Sequence, residues 1–177
     1  MILDRLFRSE KPAQAAGKAL YAAVVSQARR PDLYADLGAP DTVEGRFELY
    51  TLHVVLLLDR FRRQGTQAAE TSQALFDTYV GALDDALREM GVGDLSVGKK
   101  MRKLGEAFYG RVKSYEAAFA DLPDAGALQA LLGRTVYAGG DAGQASRLSA
   151  YVLAEREGLA AQPLERLLEG RVAWAAA

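Results

Sequence analysis

The sequence predicts an all-α protein, a single-domain bundle of about seven helices, and three observations lead to that expectation. Apolar residues recur every three or four positions through most segments, which is the spacing of a helix and not of a strand. Glycine, proline and capping residues fall between these segments. The chain has 177 residues, which suits one domain. We therefore expect residues 13–177 to form one helical domain, preceded by an amphipathic or flexible segment over residues 1–12.

The first two predicted helices are separated by a proline. Helix one covers about residues 13–30 and stops before Pro31, because the residue that precedes a proline is pushed towards extended geometry. Helix two covers about residues 41–63, and either Asp41 or Thr42 can cap its free backbone N–H groups. Apolar residues surround helix two on nearly all sides, which is typical of a helix at the centre of a bundle.

Helices three and four are predicted on either side of a glycine-rich turn. Helix three covers about residues 69–90 and closes with Gly91, a residue suited to the left-handed backbone that ends many helices. Helix four begins near Ser96, whose hydroxyl is the expected cap, and continues to about residue 120. Its apolar residues form one stripe, and we expect helices two and four to build the core. The stripe consists of Val97, Met101, Leu104, Phe108, Val112, Tyr115 and Phe119.

The last third of the chain carries a weaker helical pattern. A short helix is expected over about residues 128–137, and a longer one from near Asp141 to about Gly158. Pro163, which is tolerated in a first helical turn, begins a final helix that we expect to continue to Val172.

The stretch GDLSVGKK, residues 93–100, comes close to a phosphate-binding loop. Gly93, Gly98 and Lys99 fill three of its fixed positions, but Lys100 replaces the Ser or Thr whose hydroxyl binds Mg²⁺. A helical pattern precedes the stretch where a phosphate-binding loop requires a strand. The sequence therefore predicts a turn between two helices and no binding of ATP or GTP.

Composition and motifs argue against several functions. The formal net charge is −1, so DNA is not an expected partner. The chain has no cysteine, which excludes disulfides and thiolate chemistry. The one histidine, His53, lies within the most apolar helix and is interpreted as a hydrogen-bonded structural residue. Asp84 and Arg88 have the spacing of an ion pair on a solvated helix face. We expect no catalytic residue, no metal site and no cofactor, and hence a protein that is not an enzyme.

The length and charge of the apolar runs indicate where the protein is located. The longest strongly apolar run, residues 52–58, is far shorter than the ~20 residues that span a bilayer. The N-terminus carries charge within its apolar stretch and does not read as a secretory signal. The sequence predicts a cytoplasmic protein, with a peripheral place on the inner face of the cytoplasmic membrane as the alternative left open.

A cluster of basic residues near the start of helix four is the clearest local anomaly. Lys99, Arg102, Lys103 and the more distant Lys113 lie opposite the apolar stripe. Such a cluster is either a solubilising face or a docking surface for an acidic segment, for RNA phosphates or for anionic lipid headgroups.

Four stretches of the chain together resemble the ubiquinol-cytochrome c chaperone family in its bacterial form. They read LYAAVVSQARRPDLY, GAPDTVEGRFEL, LREMGVGDLSVGKK and YGRVKSY, and the likeness covers roughly residues 20–120. The resemblance implies a non-enzymatic assembly factor that holds cytochrome b, or its nascent chain, during assembly of respiratory complex III. It further implies contact with the membrane surface or the ribosome. Mitochondrial members of the family work with a second small protein, so a second assembly protein is a further candidate partner.

The resemblance and the basic cluster together define the candidate partner-binding residues. They are Asp41, Thr42, Arg46, Arg88, Asp94, Lys99, Lys100, Arg102, Lys103, Tyr109 and Arg111. Two alternatives remain open at this point. One is a helical adaptor that binds RNA or an anionic membrane, and the other is a helical enzyme that acts on an anionic or isoprenoid substrate.

Overall fold

A computed structural model describes residues 11–140 and 142–175, and it confirms the all-α expectation. Within those residues the chain forms eight helices and no strand. They are α1 (Pro12–Ala28), α2 (Pro31–Ala35), α3 (Val43–Phe61), α4 (Thr66–Glu89), α5 (Asp94–Ala120), α6 (Gly126–Thr135), α7 (Ala142–Ala161) and α8 (Leu164–Leu168). The helix that the sequence reading missed is α2, which is too short for a periodic pattern. The expectations for the segment before residue 11 and for Asp141 lie outside the described residues.

Capping residues set two helix boundaries where the sequence predicted them. Thr42 precedes α3, and its side-chain oxygen accepts a hydrogen bond from the backbone N–H of Gly45 at 3.1 Å. Gly91 follows the end of α4 with a φ of +77°, a left-handed conformation that glycine adopts without strain.

The expected cap at Ser96 is wrong. The helix begins two residues earlier, at Asp94, and no side chain caps it. Gly93 has an extended backbone, and its carbonyl already accepts hydrogen bonds from the N–H groups of Ser96 and Val97. Ser96 therefore lies inside the first helical turn, where it cannot act as the cap.

Several further helix ends differ from the expectation, and two of them lie next to glycines with a left-handed backbone. Helix α4 begins at Thr66, three residues earlier than predicted, directly after Gly65 with a φ of +95°. Helix α8 ends at Leu168 and does not reach Val172, because the backbone turns at Gly170 with a φ of +80°. A Cβ on Gly170 would lie 2.8 Å from the Cβ of Ala19, so this turn presses against α1.

The central element of the bundle is α3. Every residue from position 51 to position 57 is buried, as the apolar pattern predicted. Helices α1, α4, α5 and α7 all pack against α3, while α6 bridges α5 and α7. Helices α1 and α4 also approach each other closely, since a Cβ on Gly17 would lie 2.6 Å from the carbonyl carbon of Ala74. The predicted stripe of α5 faces this core, with Phe108 and Tyr115 buried.

Polar side chains of α3 bind partners on two neighbouring helices. The hydroxyl of Thr51 lies 2.8 Å from that of Tyr79 on α4. The carboxylate of Glu48 accepts two hydrogen bonds from the guanidinium of Arg111 on α5, at 2.7 and 2.8 Å. The Glu48 side chain is 8% exposed and that of Arg111 is 28% exposed, so this ion pair is largely removed from water.

His53 joins α3 to α7 in the most buried part of the molecule. Its Nδ1 donates to the carbonyl of Leu49 at 2.7 Å, and its Nε2 therefore accepts from the hydroxyl of Tyr151, also at 2.7 Å. The ring of Trp174 packs edge-on against the imidazole, with ring centroids 5.3 Å apart. Burial lowers the pKa of His53 to about 4, so the ring is neutral at physiological pH. The arrangement agrees with the predicted structural role.

The residues that follow α8 pack against the same region. Buried Glu155 accepts a hydrogen bond from Gln27 of α1 at 3.0 Å and from the backbone N–H of Ala175 at 2.9 Å. Arg30 donates to the carbonyl of Ala175 at 3.3 Å. Burial raises the pKa of Glu155. These contacts attach the chain that follows α8 to α7 and to the link between α1 and α2.

Truncation of core residues should destabilise the bundle strongly. Leu57 and Phe108 are 0% and 2% exposed. We expect Leu57→Ala or Phe108→Ala to lower the free energy of unfolding by ~2–5 kcal/mol in a urea titration. Val43→Ala is the control, because Val43 is 60% exposed and should change stability little. Equal effects of all three substitutions would contradict the core described above.

Loss of an arginine should have different consequences in a buried and in an exposed ion pair. Arg111→Gln leaves the carboxylate of Glu48 buried without its partner, so we expect a loss of about 2–4 kcal/mol in the free energy of unfolding. Arg46 and Asp41 form a similar pair on the surface, and Arg46→Gln should leave unfolding almost unchanged. Denaturant titrations of both variants test this ranking, and a reversed order would refute it.

The pH dependence of stability should report on His53. An unfolded histidine titrates near 6.5, well above the pKa of about 4 in the fold. As pH falls, the unfolded state takes up the proton first, so the free energy of unfolding should decrease from about pH 6.5 to about pH 4, by about 3 kcal/mol. Glu155 contributes in the opposite direction, because its pKa is raised.

A His53→Gln variant isolates the histidine from Glu155 and other groups. Denaturant titrations at several pH values in this window should give a shallower pH dependence for the variant than for the wild type. Equal slopes would show that His53 is not the group that titrates.

Candidate interaction surface

The predicted partner-binding residues fall in three places on the molecule. One group lies at the start of α3, a second at the junction of α4 and α5, and a third along the outer face of α5. Arg111 belongs to none of these three groups, because its guanidinium binds Glu48 in the ion pair that joins α3 to α5.

Asp41 and Arg46 form an exposed ion pair at the start of α3. Arg46 Nε donates to the carboxylate of Asp41 at 2.6 Å, and this hydrogen bond lowers the pKa of Asp41. The third predicted residue here, Thr42, is used as the helix cap. The pair lines a surface pocket of ≈ 800 Å³ together with Arg29 and Tyr34. Because Arg46 is exposed, its guanidinium can also reach a partner.

Arg88 links the end of α4 to the start of α5. It donates to Asp84 at 2.7 Å and to Asp94 at 2.6 Å. The contact between Asp84 and Arg88 confirms the ion pair predicted from their spacing. The contact with Asp94 connects the last turn of α4 to the first residue of α5. Both carboxylates therefore neutralise the charge of Arg88, which leaves this residue less suited to bind an anion.

The remaining basic residues of α5 form what we call the basic ridge. It comprises Lys99, Lys100, Arg102, Lys103 and Lys113, all of them exposed. Among the described residues none of these five side chains makes a salt bridge. Positive charge in the first turns of a helix adds to the partial positive charge of the helix N-terminus. The ridge therefore attracts anions.

The stretch over residues 93–100 is not a phosphate-binding loop. Gly98 and Lys99 lie inside α5, and the element that precedes Gly93 is a helix. Because the backbone N–H groups of a helix interior are used within the helix, they cannot cradle a phosphate. The structure agrees with the sequence expectation of a turn between two helices.

Exposed apolar side chains accompany the ridge. Tyr109 is 58% exposed, and its ring packs against Phe76 and Phe108 with centroids 5.8 and 5.9 Å apart. Leu95 is 100% exposed and Met90 is 54% exposed, both at the junction of α4 and α5. The sequence analysis did not identify Leu95. The residue lies outside the apolar stripe that begins with Val97 on the same helix, and this position was the signal that it is exposed.

Other kinds of site find no support within residues 11–140 and 142–175. No group of three or more histidine, cysteine, aspartate or glutamate side chains is arranged to hold a metal ion there. Over the same part of the chain no helix is long and apolar enough to cross a bilayer. His53 has both ring nitrogens hydrogen-bonded inside the core.

Comparison with known proteins confirms the resemblance inferred from the sequence. The family model described as ubiquinol-cytochrome C chaperone matches residues 35–174. The crystal structure of the Cbp3 homolog from Brucella abortus matches with a TM-score of 0.85 and 36% sequence identity. That match covers 99% of this chain and 97% of the other. No curated protein sequence gives a significant match. The chain therefore belongs to the ubiquinol-cytochrome c chaperone family.

Proposed function

We propose that this chain is a non-catalytic assembly chaperone for respiratory complex III, with cytochrome b or its nascent chain as the client. The family match over residues 35–174, together with a solved homolog that covers nearly the whole chain, carries the proposal. A chaperone of this kind needs a rigid scaffold and a surface that binds partners, and it needs no reacting group. The tightly bonded core around α3 supplies the scaffold.

The basic ridge supplies the partner surface in this proposal. Its cations lie on the solvent side of α5, while the apolar stripe on the opposite side of the same helix holds it to the core. A positively charged surface next to Tyr109 suits an acidic segment, ribosomal RNA or the anionic face of the cytoplasmic membrane. The exposed pair of Asp41 and Arg46, with the pocket beside it, offers a separate surface for a second assembly protein.

A second candidate function is a helical adaptor that binds RNA or an anionic membrane and has no client. The unpaired cations of the basic ridge are the observation that favours it. The two functions differ in their consequence for respiration, because only an assembly chaperone is needed specifically for complex III.

Deletion of the gene in the native organism should lower the amount of complex III and of spectroscopically detectable cytochrome b, while other respiratory complexes persist. Lys99→Glu, Arg102→Glu and Lys103→Glu combined should restore complex III poorly, because the charge of the docking surface is reversed. The fold should survive, since all three side chains are exposed.

The matched control carries Arg134→Glu, Arg147→Glu and Arg166→Glu, which change the net charge equally at exposed positions outside the ridge. This control should restore complex III fully. Normal complex III in the deletion strain would contradict the chaperone function. Full rescue by the ridge variant would show instead that the ridge is only a solvated face.

A further inference from the structure

We propose that the start of α5 is an interfacial anchor, in which Leu95 enters the headgroup region of an anionic bilayer while the basic ridge contacts the lipid phosphates. This inference deepens the proposed function, because it names the partner of the ridge. It rests on the exposure, spacing and charge of side chains on α5 and in the turn before it.

The first observation is where the exposed apolar side chains lie. Four large apolar residues are exposed in the described part of the chain, namely Val43, Met90, Leu95 and Tyr109. Three of them lie on α5 or in the turn before it. Leu95 is fully exposed, so it contributes nothing to the core. An apolar side chain that packs against nothing in its own chain gains by leaving water for another apolar environment.

The second observation is the spacing of these residues along α5. Leu95, Arg102 and Tyr109 recur every seven residues, which places them on one side of a helix, over about 21 Å of its length. Lys99 and Lys103 follow Leu95 at intervals of four residues and flank the same side. A leucine at one end, a tyrosine at the other and cations between them give this side of α5 both groups that attract lipid phosphates and apolar groups suited to a membrane interface.

The third observation is the kind of charge on this surface. Of the five cations in the ridge four are lysines, and Glu106 lies among them, while Asp94 beside Leu95 is paired with Arg88 and Glu89 is exposed before the turn, so the surface keeps a net positive charge. Lysine is depleted in protein interfaces, which favour arginine and aromatic residues. Lipid headgroups attract either cation equally well. The exposed Leu95 would gain nothing beside RNA phosphates. A bilayer with anionic lipids therefore accounts for both the charge and the apolar side chains.

The direct test measures binding of the full chain to lipid vesicles by flotation. Vesicles of phosphatidylcholine with about one third phosphatidylglycerol present the anionic surface, and vesicles of phosphatidylcholine alone serve as the neutral comparison. We expect binding to the anionic vesicles and much weaker binding to the neutral ones. High salt should weaken the binding, because exposed charges are screened.

Two variants separate the apolar contribution from the charged one. Leu95→Ser should reduce vesicle affinity about tenfold, since it removes the inserted side chain. Lys99→Glu with Lys103→Glu should reduce affinity at least about tenfold, because each lysine near an anionic surface contributes about fivefold. Both variants should unfold like the wild type, since the three positions are exposed.

The matched controls change the same chemistry elsewhere. Val43→Ser removes an exposed apolar side chain from the start of α3, and Arg134→Glu with Arg147→Glu reverses the same charge outside the ridge. Both controls should bind anionic vesicles like the wild type. Equal affinity of the ridge variants and these controls would overturn the proposal, and so would equal binding to neutral vesicles.

An RNA homopolymer serves as the competing ligand. If the ridge variants lost affinity for RNA while vesicle binding stayed unchanged, the ridge would be an RNA surface and the lipid proposal would be wrong. The vesicle assay is independent of respiration. Normal complex III in a deletion strain would therefore refute the chaperone function and leave the lipid result standing. Loss of complex III without any vesicle binding would support the chaperone function and refute the lipid proposal.

Discussion

The burial of α3 on every side is the constraint on which the rest of the fold depends. Its buried stretch includes Thr51 and His53, and Glu48 lies one turn earlier. A buried polar group without a partner costs about 1–3 kcal/mol, so each of these side chains must find a partner on a neighbouring helix. Thr51 pairs with α4, His53 with α7 and Glu48 with α5. Apolar packing alone is not directional, and these bonds determine which helix lies against which side of α3.

The same pairing determines which charges remain available on the surface. Arg156 binds Asp59 and lies over the ring of Phe119, so it joins α7 to both α3 and α5. Arg111 and Arg88 are likewise held by carboxylates. The basic ridge is a cluster of cations outside this network, on a helix whose opposite side is fixed in the core. Helix α5 thus combines a rigid attachment to the scaffold with a surface that is free to bind a partner.

Local patterns in the sequence predicted the helices well, but they could not predict contacts between residues that are distant in the chain. The apolar spacing of α3 and α5 identified the buried sides, and the spacing of Asp84 and Arg88 identified a real ion pair. The pair of Glu48 and Arg111 lies 63 residues apart in the chain, so no local rule finds it.

Surface exposure was the other limit of the sequence reading. The position of Leu95 off the stripe is visible in the sequence, yet only the packing of α4 and α5 shows that no other helix in the described residues covers it. Arg111 illustrates the same limit, since a basic residue beside the ridge in the sequence is bonded into the core interface in the fold.

The central claim is that the chain holds newly made cytochrome b before complex III is complete. The most direct measurement is a pulse–chase experiment in which newly synthesised proteins are labelled and the chain is purified at successive times. The account predicts that labelled cytochrome b purifies with the chain early and leaves it as mature complex III appears. The account would be contradicted if no labelled cytochrome b purified with the chain at any time. It would also be contradicted if labelled cytochrome b stayed with the chain after mature complex III had formed.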